Sequence, residues 1–267
     1  MKEKNVFLSS YLEYAKTIPA WTYWSFLVCT VAIYLALVAF QAAILTLVIP
    51  QEFTMQYLYL NVNSPNLTSM FFNHFMHNPL SASHLADNIQ VFIFLVVLIF
   101  VAGFILLPKS ECFLPTHFFP AIFFIYLLGL PFAISGISIW AGRIFEKTYV
   151  SGFSGIIFAM LGLFFFLLFL MFYRGILRSR PDHPLTPYIL LFSVFFVIAV
   201  TIAGIMLDLE DPGIGVFAHL GGFLLGLLSP AIVGIVLVSK SMKEKAGFTL
   251  LLVAVLAGCA GSWMLPV

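Results

Sequence analysis

Long apolar runs separated by short polar breaks make up this chain. A run of about 20 apolar residues is the length that crosses the hydrocarbon core of a bilayer as a helix. Seven are expected, over about 22–49, 85–107, 118–139, 152–173, 186–207, 214–239 and 246–265. Lipid offers the backbone no hydrogen-bond partner, so each run must satisfy its own N–H and C=O groups, which a helix does. The stretch 50–83 breaks the pattern. Its polar residues Gln51, Glu52, Asn61, Asn63 and Asn66 alternate with Phe53, Met55, Tyr57, Leu58, Tyr59, Leu60, Phe71 and Phe72. Such a mixture suits the membrane interface, where aromatic rings sit at headgroup level. The expected organisation is a short N-terminal segment (1–21), a six-helix core (22–239, with 50–83 as an interfacial loop) and a seventh helix with the C-terminus (246–267). No internal repeat and no separate soluble domain is visible.

Composition agrees with an all-α polytopic membrane protein. Of 267 residues, 62% are hydrophobic and 9% charged, and 31 are Phe. Soluble domains carry roughly 25% charged residues, so a water-facing surface could not be covered here. A net charge of +1 gives no electrostatic footprint for nucleic acid. Cys29, Cys112 and Cys259 are scattered, which suggests neither a disulfide framework nor a thiolate metal site. The first apolar run begins near Trp21 and is too long for a signal-peptide core, so it is expected to be a retained span.

Basic residues set the expected orientation. Alternate connections carry Lys2, Lys4 and Lys16; Lys109; Arg174, Arg178 and Arg180; and Lys240, Lys243 and Lys245. The other set carries only Arg143 and Lys147. Ten against two puts the N-terminus in the cytoplasm and, after seven spans, the C-terminus outside, with the cell membrane as the expected location. Asp208, Glu210 and Asp211 then form an external acidic loop, read as a solvated cluster.

Three polar constellations lie at or near span ends. Gly152-Phe153-Ser154-Gly155 opens the fourth run, His219 lies in the sixth with Gly222 and Gly226, and His84 and Asn88 stand at the start of the second. Each has an ordinary explanation: a back-bonded serine, close helix packing, an interfacial histidine. Together they carry more. Ser154 and His219 fall at matching depth on one side of the membrane, by the 1.5 Å rise per residue. Gly222 and Gly226 follow His219 on one face, and Gly155, Ala159 and Gly162 form a second small-residue stripe. Two such stripes let helices approach closely, which a Ser–His hydrogen bond would require.

On these residues the chain resembles the rhomboid family of intramembrane serine proteases. That family pairs a Gly-x-Ser-Gly opening one helix with an Ala-His-x-x-Gly-x-x-x-Gly on a later one. The counterparts here are Gly152-Phe153-Ser154-Gly155 and Ala218-His219 followed by Gly222 and Gly226. The family's His-x-x-x-Asn matches His84-Leu-Ala-Asp-Asn88. The resemblance runs over roughly residues 20 to 240 and implies a rhomboid-like six-helix core plus one C-terminal transmembrane helix. The Trp-Arg pair found in the first loop of many rhomboids is missing. Asp87 is read as a first-turn acid favoured by the helix dipole. The resemblance implies that Phe158 stacks on the His219 ring, and that Asn88, His84 and the Ser154 N–H bind the oxyanion.

A serine hydroxyl is a weak nucleophile until a base takes its proton, and His219 is the expected base, later the acid for the leaving amine. The expected substrates are transmembrane segments of single-span or multi-span membrane proteins, unwound near their outer ends within the lipid bilayer. The active site is expected to open externally and to use no cofactor and no metal. The Gly-x-Ser-x-Gly elbow of α/β-hydrolases would need glycine where Ile156 stands, and there is no His-Glu-x-x-His. His74 and His77 are expected to be interfacial histidines, and Asn66-Leu67-Thr68 is a glycosylation sequon only in a glycosylating host. The rival is a non-catalytic rhomboid-like protein that binds or moves membrane clients. A coupled transporter fits poorly, because the spans carry few buried carboxylates.

Overall fold

The computed structural model of the protein describes residues 20–46, 48–77, 82–109, 113–146, 148–173 and 215–265. These form α1 (Ala20–Leu45), α2 (Leu67–Phe72), α3 (Ala82–Val101), α4 (Phe118–Ile144), α5 (Ser154–Phe172), α6 (Val216–Val238) and α7 (Met242–Gly261), with a two-residue β pair. Five helical stretches are long and apolar enough to cross a membrane: Leu85–Leu106, α4, α5, α6 and α7; α1 adds the apolar stretch Val28–Ile44. The protein is an all-α polytopic membrane protein. The run expected at 186–207 lies outside the described residues.

Two helices begin earlier than the hydropathy pattern suggests. Helix α3 starts at Ala82, so Asp87 is exposed in its second turn and not in the first, where the dipole would favour it. Helix α7 starts at Met242 because the Ser241 side chain accepts from the Glu244 N–H, which draws Lys243 and Lys245 into the first turn. In α4, Pro131 has no N–H to donate to the preceding turn. The helix widens there into a π turn over Ile125–Gly129 and continues to Ile144 without a break.

The segment after α1 is a folded cap on the bundle. Asn66 caps α2 in a reciprocal capping box with Ser69. Leu58, Leu60, Val62, Met70, Phe75 and Met76 are all buried. Strand β1 (Leu60–Asn61) pairs antiparallel with β2 (Tyr149–Val150), Leu60 opposite Val150, so the cap is hydrogen-bonded to the chain leading into α5. A Cβ at Gly142 of α4 would stand 2.9 Å from Val62 Cγ2, showing how closely the cap lies on that helix.

At the other side of α4, Gly136 lets α7 approach: a Cβ there would stand 2.6 Å from the Ala260 carbonyl oxygen. Among the described residues, helices α5 and α6 share the most extensive interface.

Candidate active site

Helix α5 begins at Ser154, after a sharp turn at Gly152, whose φ of +130° is open to glycine and strained for other residues. The Gly152 N–H donates to the Asn73 carbonyl at 2.9 Å, fixing that turn to the cap. Inside α5 the first bonded amides are those of Ile156 and Ile157, both on the Phe153 carbonyl. The Ser154 N–H therefore belongs to the group at a helix start that has no intrahelical acceptor.

Small residues interlock α5 with α6. A Cβ at Gly222 would overlap the Gly155 carbonyl oxygen, one at Gly226 the Ala159 carbonyl oxygen, and one at Gly162 the Phe223 carbonyl oxygen. These are backbone-on-backbone approaches, which any side chain would wedge apart. Tyr126 of α4 clamps the same crossing: its hydroxyl lies 3.1 Å from both the Ala159 and the Gly226 carbonyl oxygens, where it can donate to either.

This crossing sets His219 against α5. His219 is buried, and its ring stacks on Phe158 with centroids 4.3 Å apart and planes within 4°. Ser154 is one turn earlier on the same face of α5 as Phe158. Ser154 is therefore on the face of α5 against which His219 packs, one turn toward the helix start. A Cβ at Gly152 would come 3.9 Å from the Ser154 Oγ, an ordinary contact distance, so it is the positive φ of the turn and not space that calls for glycine there.

The third constellation arrives through aromatic packing. Phe153, next to Ser154, is buried edge-on against Phe92 of α3 at 5.6 Å. Asn88 lies one turn before Phe92 on the same face of α3 and is itself buried. The Asn88 amide is thus brought toward the start of α5. His84 is one further turn back on that face; its side chain lies outside the described residues.

The expectation that His74 and His77 are interfacial is overturned: both are buried, at 3% and 1% exposure. The His74 Nε2 meets the Pro131 carbonyl at 2.9 Å and the Ser135 Oγ at 3.1 Å. Ser135 donates to the Met70 carbonyl and accepts from the Asn73 amide, which also donates to the Ser69 and Met70 carbonyls. Burial pushes the His74 pKa down to about 4, partly offset by the Pro131 and Gly152 carbonyls. His74 is therefore neutral at physiological pH, a structural link between cap, α4 and the Gly152 turn. The His77 ring contacts Asn88 instead: its Nε2 is 2.9 Å from the Asn88 Nδ2. The only local sign of this is that Asn73, His74 and His77 flank Phe75 and Met76, a mixture that suits an interfacial segment equally well.

Asn66 of the sequon is also committed, its Oδ1 accepting from the Ser69 N–H and its Nδ2 donating to the Gln56 carbonyl. Among the described residues no cluster of three metal-ligating side chains occurs.

No curated protein and no solved structure matches the chain. The family model described as the Rhomboid domain matches residues 116–240, a span that holds α4, α5 and α6 with Ser154 and His219 and stops short of Asn88. Rhomboids are generally intramembrane proteases, with some inactive members. Residues 116–240 thus carry a match to the Rhomboid domain, which together with the multi-pass helical fold supports a rhomboid family member.

Proposed function

We propose that the protein is an intramembrane serine endopeptidase, with Ser154 as nucleophile and His219 as general base and then acid. The observation that carries this reading is the parallel stack of His219 on Phe158, one turn below Ser154 on the same helix face. His219 takes the Ser154 proton as Oγ attacks a peptide carbonyl, then returns it to the leaving amine. The oxygen of that carbonyl becomes an oxyanion, which needs donors already in place. The Ser154 N–H and the Asn88 amide supply them, with His84 as a third. Gly155, Gly222 and Gly226 keep the two backbones close, and Gly152 makes the turn that leads into Ser154. The substrates are transmembrane segments of other membrane proteins, locally unwound so that a carbonyl reaches the site. The bias of Lys and Arg supports an N-terminus in the cytoplasm and a site that opens on the external face.

The test is cleavage of a model single-span substrate by purified protein in detergent, wild type beside Ser154→Ala. Cleavage by wild type alone supports the protease. No cleavage by either protein, together with retained binding of the substrate, would favour a client-binding rhomboid-like protein instead.

A further inference from the structure

His77 has no part in the chemistry assigned so far, yet it is among the most buried polar residues of the fold. Its Nε2 lies 2.9 Å from the Asn88 Nδ2. An amide nitrogen only donates, so the ring accepts there, which makes it the neutral form with its proton on Nδ1. The backbone of His77 is held as well: the Tyr59 hydroxyl donates to its carbonyl at 2.8 Å. Tyr59 directly precedes β1, whose partner β2 leads into Gly152 and Ser154. The ring that meets Asn88 is thus anchored to the same strand pair that holds the entry to the nucleophile.

A primary amide has two N–H groups and one carbonyl oxygen, and its terminal torsion is broad and roughly two-fold. One N–H committed to His77 settles which end of the amide faces which way and leaves the second N–H to point elsewhere. An amide turned by half a rotation would offer its oxygen to the developing oxyanion, which repels. A donor is useful in catalysis only if it is oriented before the charge appears.

We propose that His77 is a positioning residue, accepting one Asn88 N–H so that the other is held for the oxyanion of the peptide being cut. The proposal rests on the proteolytic reading above. Because the oxyanion exists only in and around the transition state, loss of His77 lowers kcat and leaves KM nearly unchanged. Misorienting a catalytic group costs on the order of a hundredfold, and removing a single oxyanion donor about 100- to 1,000-fold.

The experiment measures kcat and KM on a single-span substrate in detergent for wild type, His77→Phe, His77→Gln, Asn88→Ala and the double variant His77→Phe/Asn88→Ala. Ser154→Ala is the blank, and thermal unfolding is followed for each. His77→Phe keeps a buried ring without an acceptor and should lose roughly tenfold to a hundredfold in kcat. His77→Gln, whose side-chain oxygen can accept, should recover part of that loss. The double variant should be no slower than Asn88→Ala alone, because the residue being positioned is already gone. Full kcat in His77→Phe, a loss confined to KM, or losses that multiply in the double variant would each overturn the proposal. Should His77→Phe fail to fold, His77→Gln against the similarly sized His77→Met makes the same comparison, and equal rates in those two would overturn it. A wild type that does not cut, or a Ser154→Ala that does, would instead sink the proteolytic reading itself.

Discussion

The ring of His219 lies flat on Phe158, centroids 4.3 Å apart and planes 4° from parallel. A histidine that shuttles a proton must hold one ring orientation, and a flat aromatic neighbour supplies it without hydrogen-bonding either ring nitrogen. Aromatic pairs contribute about 0.5–1.5 kcal/mol beyond their buried area. Phe158→Leu keeps apolar bulk and removes the flat face, so kcat/KM should fall by about 2- to 10-fold. Phe158→Tyr keeps the face and should stay close to wild type. Equal kinetics for Leu and Phe at this position would show that the stack does not orient the base.

Close packing of α5 on α6 gives a sharper contrast between neighbouring glycines. A Cβ on Gly222 would overlap the backbone oxygen of Gly155, whereas one on Gly221 meets the Ile137 Cδ1 at 2.8 Å, the far end of a flexible side chain. The first obstacle can be relieved only by moving a helix, the second by a change of rotamer. Gly222→Ala should therefore lose on the order of a hundredfold in rate, as misplacement by about 1 Å does, while Gly221→Ala stays near wild type. Rates compared at equal amounts of folded, membrane-inserted protein check this.

Much of this arrangement was legible in the sequence because it follows a helical period. Gly155, Ala159 and Gly162, and His219, Gly222 and Gly226, announce two faces that can touch, and apolar run length located the long helices α1 and α3 to α7, though not the short α2. The cap was not legible. His74 reaches Pro131 and Ser135 across 57 and 61 residues of sequence, and β1 and β2 are two residues each, too short for any alternation to show. In such a segment polar residues are buried by tertiary hydrogen bonds, and the one local sign, polar residues set among Phe75 and Met76, fits a membrane interface equally well, so His74 and His77 read as interfacial groups. The π turn in α4 was hidden too, since Ile125–Gly129 is as apolar as the α-helix around it.

The buried His74 should make stability depend on pH. Its pKa is held near 4 in the fold against 6.5 for a free histidine. Between those values the unfolded chain binds more protons, so stability is complete above about pH 6.5 and is lost as pH falls toward 4. The loss amounts to ~3 kcal/mol across that window. Thermal unfolding in detergent should fall less steeply from pH 6.5 to 4 in His74→Gln than in wild type. Parallel profiles for the two proteins would contradict a neutral, buried His74.

Orientation is testable by fusion. A reporter enzyme active only in the cytoplasm should work when fused after Lys243, beside the basic cluster, and be silent when fused at Val267. The reverse result would invert the topology and turn the Ser154 end of the bundle to the cytoplasm.

The pairing of Ser154 with His219 is tested most directly by an alkyl fluorophosphonate, with the modified residue located by mass spectrometry. The Ser154 oxygen attacks phosphorus, fluoride leaves, and the hydroxyl proton passes to His219, so a covalent adduct forms only where a serine is activated. Wild-type protein should carry a single adduct, on Ser154, and His219→Ala should remain unlabelled under the same conditions. Labelling of another residue, or equal labelling of Ser154 in the absence of His219, would contradict the dyad.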